Sequence, residues 1–243
     1  MFNSDKTEVM LVGSQNQLKG NVGLHELDPC SLSSKLKLEI KSLGVIFDPD
    51  LSFETHIREV TKVSFYHLRN IAKLRPIISV SDAERLMHAF VSSRIDYCNA
   101  LFSGVPERVV SHLQLVQNTA AKILTKTRKS EHISPVLASL HWLPVQYRID
   151  FKILLLIYKA LNGLAPSYLQ LLTLYLPNCT LRSQDAGMLV IPRVNKSSTG
   201  GRAFSCRAPK LWNALPSFVR EAGTVTVFKS RLKMHFYKTA FLS

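Results

Sequence analysis

Residues 38–57 read LEIKSLGVIFDPDLSFETHI, and the period of the apolar positions changes part-way along them. Leu38 to Asp48 is rich in β-branched and aromatic residues and stops at Asp48-Pro49-Asp50, so it predicts a strand that ends in a turn. Proline at 49 prevents a central strand from continuing past that point. From Phe53 onward the apolar residues fall on one helical face: Phe53, Ile57, Val60, Leu68, Ile71 and Leu74. Ser52 is placed to cap that helix and Pro76 to stop it.

Upstream, Val9 to Gly13 is a second short apolar run ended by glycine. The two runs predict a β-hairpin at the start of the chain, joined by the polar stretch 14–34. Downstream, a helix is expected from Ser81, with Asp82 and Glu84 in a first turn that favours acids. Its apolar face runs from Leu86 to Leu101, and Gly104 closes it. Pro106 then opens a third helix presenting Val109, Leu113, Val116, Ala120 and Ile123. Three amphipathic helices with short Gly/Pro joints predict an antiparallel bundle. Arg148 to Leu161 is apolar nearly all round, the pattern of a buried helix. A short helix from Ala165 to about Leu174, a strand at Met188 to Ile191, a helical turn at Pro209 to Leu215 and an amphipathic helix over Val225 to Phe236 complete the reading. The expected fold is α-rich (α+β). Its three parts are a two-stranded segment at 1–50, a three-helix bundle at 51–130 and a basic, mixed helical region at 131–243.

The 243 residues carry 31 Lys plus Arg against 17 Asp plus Glu, a formal net charge of +14. Residues 1–50 hold 5 basic and 7 acidic side chains, while residues 151–243 hold 13 basic and 2 acidic ones. Such an excess favours polyanionic partners. The candidate backbone-binding residues are therefore Arg182, Arg193, Lys196, Arg202, Arg207, Lys210, Lys229, Arg231, Lys233 and Lys238. RNA or DNA backbone, a solubilising surface, and an acidic membrane or protein are the readings open to these charges. Phe204, Trp212, Phe218, Phe228, Phe236 and Tyr237 lie between them; at helical spacing they read as core, with base stacking as the alternative. Lys122, Lys126, Arg128 and Lys129 close the third helix, where cations suit the helix C-terminus as well as phosphate.

Several chemistries lack their residues. There is no Asp-Asp pair for two-metal nucleotidyl transfer, and Asp48 and Asp50 read as turn residues. Phosphate-cradling glycine motifs, zinc-binding Cys pairs and serine nucleophile elbows do not occur. His141, beside Trp142, has no identifiable partner and reads as a packed side chain rather than a base. No metal and no cofactor are expected. The start of the chain has no apolar signal core and no run approaches the ~18 residues of a membrane span, so an intracellular location, nucleus or cytoplasm, is the default expectation.

One family shares these strings in order. Asn3-Ser4-Asp5-Lys6-Thr7-Glu8 followed by VMLVG resembles the end of the palm in non-LTR (LINE-type) retrotransposon reverse transcriptases, where an N-x-x-K-T-E stretch follows the catalytic Tyr-x-Asp-Asp hairpin. KSLGVIFDPDLSFETHI (Lys41 to Ile57) resembles their strand and thumb start. SRIDYCNALFSGVP (Ser93 to Pro106), LQLVQNTAAKIL (Leu113 to Leu124), HWLPVQYRIDFKILLLIYKALNG (His141 to Gly163) and GRAFSCRAPKLWNALP (Gly201 to Pro216) are similar to their tail. The resemblance implies a palm remnant, a thumb and a tail that hold nucleic acid without polymerising it, with the other polymerase domains of the element as possible partners. It also makes Lys6 the counterpart of the family's motif D lysine. A structural or interaction module, or a decayed reading frame, is the competing expectation. Ile40 to Arg75 further resembles a segment catalogued as the N-terminal part of an AlkB-type alkylation-repair protein with a methyltransferase module. That chemistry needs an H-x-D…H iron site or a Gly-rich cofactor loop, and this sequence has neither.

Overall fold

The computed structural model describes residues 7–13, 36–128, 130–169, 187–194 and 200–242. It is α-rich with a small hairpin near its start. Two compact units emerge, Met1–Glu59 and Val60–Ser243.

In the first unit, β1 (Ile40–Ser42) and β2 (Val45–Phe47) pair antiparallel with Ile40 opposite Phe47 and Ser42 opposite Val45. The stretch expected to be one strand is thus a complete hairpin. Leu43 and Gly44 form its turn with φ of 47° and 82°, the double left-handed geometry that matches strand twist and that glycine makes accessible. The run expected as the other strand contributes one parallel bridge, Val9 to Leu36, supported by the Lys37 N–H to Val9 carbonyl bond at 2.8 Å and a Lys37–Glu8 ion pair. Gly13 N–H reaches the Pro49 carbonyl at 2.9 Å.

Asp48-Pro49-Asp50 forms the expected turn, closed by Leu51 N–H on the Asp48 carbonyl at 3.0 Å. The Asp48 carboxylate accepts from Phe53 N–H at 3.2 Å and from the Ser52 hydroxyl, while Ser52 Oγ accepts from Glu54 N–H at 3.3 Å. These bonds satisfy donors that the first helical turn leaves open, and α1 runs from there (Glu54–Leu74). His56 Nδ1 accepts the Ile46 N–H at 3.3 Å, tying α1 to β2. Burial, with Lys41 nearby, pushes the His56 imidazole below its ordinary range and keeps it a neutral acceptor.

In the second unit, α2 (Val80–Met87) is capped by Ser79, whose Oγ accepts from Asp82 N–H at 3.1 Å. The single helix expected to reach Leu101 is interrupted. A π turn (His88–Ser92) leads into α3 (Ser93–Asp96), Cys98 turns left-handed at φ 50°, and a 3₁₀ segment follows at Asn99–Phe102. Next come α4 (Glu107–Thr125), α5 (Ile133–Ser139), α6 (Val145–Leu161), α7 (Phe204–Asn213), α8 (Ser217–Arg220) and α9 (Val225–Phe241). Sequence patterning predicted neither α5 nor the full length of α7, which contains Pro209. The expected strand at Met188–Ile191 lies outside the sheet. Its Leu189 is held at both ends by Asn213, N–H to Oδ1 and Nδ2–H to carbonyl, each at 2.9 Å. Of the helix expected from Ala165, the described part is a 3₁₀ turn at Ser167–Leu169.

Helix α6 is the hub. It packs against α3, α4, α7, α9 and the 3₁₀ segment, and Ile149, Ile153, Leu154 and Ile157 are at most 3% exposed. A helix that is apolar nearly all round must be covered on every side, and here α3 and α4 cover it together with α7 and α9. Two polar contacts tie α4 to the start of α6: Gln117 Nε2–H donates to the Leu143 carbonyl at 2.9 Å, and Val145 N–H donates to Gln114 Oε1 at 2.8 Å. Among the described residues no helix is long and apolar enough to cross a membrane.

Candidate nucleic-acid interface

The candidate cations fall into three groups. Lys6, Arg182 and Lys196 lie outside the described residues. Arg193, Lys210, Lys229, Lys233 and Lys238 are exposed, with no carboxylate partner among the described residues. Arg202, Arg207 and Arg231 are partly buried and do structural work. The Arg202 stem lies on Gly104, where an added Cβ would come within 2.8 Å of its Cγ. Arg207 is 3.8 Å from Asp150 and donates Nε–H to Ser103 Oγ at 3.3 Å. Arg231 donates to the Phe218 carbonyl. Arg207 and Arg231 thus have protein partners as well as solvent-facing surface, since a guanidinium fork beside a carboxylate or an open carbonyl interacts with it.

Helix α9 also divides its charges. Phe228, Leu232 and Phe236 form its buried stripe. At 3.6 residues per turn Lys229 and Lys233 stand together on one flank of that stripe, and Arg231 and Lys238 on the other. The aromatic residues of the tail are mostly core: Trp212, Phe228 and Phe236 are buried, and the Tyr237 hydroxyl donates to the Ala138 carbonyl at 3.3 Å. Phe218, 48% exposed, is the one of them with an open face.

The end of α4 behaves mainly as a helix terminus. Lys126 is its left-handed cap at φ 56°, Lys122 Nζ donates to the Glu131 carbonyl at 2.9 Å, and Arg75 donates Nε–H and Nη2–H to the Leu124 carbonyl at 3.1 and 3.0 Å. Lys129 lies outside the described residues.

Sequence reading overlooked a second basic surface. On α1, Lys62, Tyr66, Arg69 and Lys73 stand at i, i+4, i+7 and i+11, a spacing that aligns them along one exposed stripe. The three cations have no acidic partner among the described residues, and Tyr66 is 57% exposed. Beside them Tyr66 meets His67 edge-on at 5.4 Å, and His67 stacks on Phe90 at 5.1 Å and 22°. Its sequence signal is the helical spacing of these residues on the polar face of α1.

No group of His, Cys, Asp or Glu among the described residues is arranged to hold a metal ion. Asp150 is the buried acid of this region. Burial raises its carboxyl above the ordinary range, and the Gln146 amide and Arg207 only partly counter this. A raised carboxyl favours the fold while protonated, so its contribution is complete below the ordinary Asp value of about 3.9 and is lost as pH rises through the native value. Asp150→Asn is therefore expected to gain stability relative to the parent as pH rises toward neutral. Urea midpoints across that range check this; a difference that shrinks or reverses with rising pH contradicts it.

No family model matches the chain, and no curated protein or solved structure matches it.

Proposed function

We propose that this chain binds the phosphate backbone of RNA or DNA with no catalytic step of its own, as the thumb and tail of a retroelement polymerase. The observation that carries the reading is the α1 stripe, three cations with no acidic partner among the described residues, interleaved with an exposed tyrosine on one helix face. That combination suits single-stranded or duplex backbone with little regard for sequence. Lys229 and Lys233 on α9, with Lys210 on α7, supply further positive surface. The resemblance of the successive strings to LINE-type reverse transcriptases supports the same reading, and makes the remaining polymerase domains of such an element its natural partners. A chain acting in this way works in the nucleus or the cytoplasm, where its polyanions are.

Anisotropy titrations of labelled single-stranded RNA, single-stranded DNA and duplex DNA over a salt series test this. Affinity is expected to fall steeply between 50 and 200 mM salt. Reversing the stripe, Lys62→Glu with Arg69→Glu and Lys73→Glu, is expected to reduce the log–log salt slope by about 2–3, since each phosphate contact contributes about 0.7–0.9. Absent or salt-insensitive binding rejects the proposal. Mg²⁺-dependent primer extension by this chain would overturn the non-catalytic part of it.

A further inference from the structure

A cleft of about 510 Å³ opens where the π turn, the 3₁₀ segment, the start of α6 and the middle of α9 meet. Its size suits a small planar ligand. His88, His141, Trp142 and Phe151 supply four rings to its walls, and Lys152 and Lys233 stand at it with no acidic partner among the described residues. Two acids also line it. Asp96 holds Arg148 through both carboxylate oxygens, with Nε–H to Oδ1 at 2.9 Å, and Glu84 faces His88 at 3.6 Å. Three cations, Arg148, Lys152 and Lys233, thus stand at the cleft against two acids, Glu84 and Asp96, and the excess is positive.

Two departures from regular backbone converge on the same place. The π turn begins at His88, and His141 is left-handed at φ 53°. A non-glycine residue held there is strained, and such strain, like π turns, gathers at ligand sites. The bend places the exposed His141 ring 5.6 Å from Tyr237, while His88 lies 5.7 Å from Trp142. The His88 and His141 rings are exposed at the opening, Phe151 is half-buried, and Trp142 forms the buried floor at 7% exposure.

We propose that this cleft receives one unstacked base of a single-stranded nucleic acid, with Lys152 and Lys233 on the flanking phosphates. The inference rests on the backbone-binding reading and adds to it a preference for strands whose bases are free. Ring-lined walls suit the face of any base, and a duplex keeps its bases in the stack.

The chain contains two tryptophans, Trp142 and Trp212, and Trp212 is in the α7–α9 core, 3% exposed. In the full chain with Trp212→Phe, emission reports Trp142 alone. Oligo(dT) of 15 residues is expected to quench it; a 15-residue abasic phosphodiester and a blunt duplex should bind without quenching. In the parent chain, Phe151→Ala should lower affinity for oligo(dT) about fivefold or more while leaving the abasic strand unchanged. This second measurement keeps the test open if Trp212→Phe does not fold. Equal quenching by the abasic strand, equal quenching by polyglutamate, or an unchanged oligo(dT) affinity in Phe151→Ala overturns the base site and leaves backbone binding standing. Binding of none of the probes overturns both.

Discussion

Phe228→Ala is expected to lower the stability of the second unit by about 3–5 kcal/mol, the range for truncating a fully buried aromatic ring. Phe228 has no exposed surface. Its ring stacks on Tyr158 of α6 at 4.3 Å and 20°, and faces Trp212 of α7 at 6.0 Å. Three helices from different parts of the sequence thus close on one side chain. The Tyr158 hydroxyl also donates to the Ala222 carbonyl at 2.6 Å, so the ring that would lean into the cavity is tethered and collapse is restricted. Urea denaturation should show a lower midpoint with an unchanged slope, together with loss of near-UV signal. Phe218→Ala, at a 48% exposed position beside the same helices, should change stability by about 0.5 kcal/mol or less. A loss below ~1.5 kcal/mol at Phe228 would show that α6, α7 and α9 do not share a core.

Arg75→Met should cost about 2–3 kcal/mol, although it removes a charge from a nearly buried position. Arg75 is 8% exposed, and besides its two bonds to the Leu124 carbonyl it donates Nη1–H to the Ile78 carbonyl at 3.4 Å. It closes the last turn of α4 and the corner after α1 with one planar group. Methionine keeps the volume and leaves the Leu124 carbonyl with no donor from this position. Arg75→Lys should restore only part of the loss, because an ammonium cannot present two parallel N–H groups to one oxygen from the same stem. Urea midpoints of the parent and both variants check the order; equal stability of Arg75→Met and the parent would contradict it.

Much of the architecture is legible in the residues. The apolar period places α1, α4, α6 and α9, and the buried character of α6 follows from its being apolar nearly all round. Asp48-Pro49-Asp50 announces its turn. Misreadings occur where a local pattern admits two geometries. Leu38 to Asp48 has strand composition throughout, and Gly44 was the sign that it folds back on itself at the Leu43-Gly44 turn. The helix expected through Leu101 keeps its apolar face across the π turn, so periodicity alone does not reveal the break at His88. Pro209 marked a start in sequence, yet it lies inside α7 because the helix is already under way at Phe204.

The candidate interface divides along a physical line. Net charge and its asymmetry are sums over the chain and need no coordinates, as does the phase of each helix, which depends on neighbours three and four positions away. Which cation remains available is a different kind of property. Arg148 meets Asp96 across 52 positions and Arg207 meets Ser103 across 104, separations that leave no local pattern to read. Packing around α6 brings those partners together. It sets Arg207 3.8 Å from Asp150 and leaves Lys152 and Lys233 at the ring-lined cleft with no acidic partner among the described residues, because tertiary packing, and not neighbours along the chain, decides which charges meet.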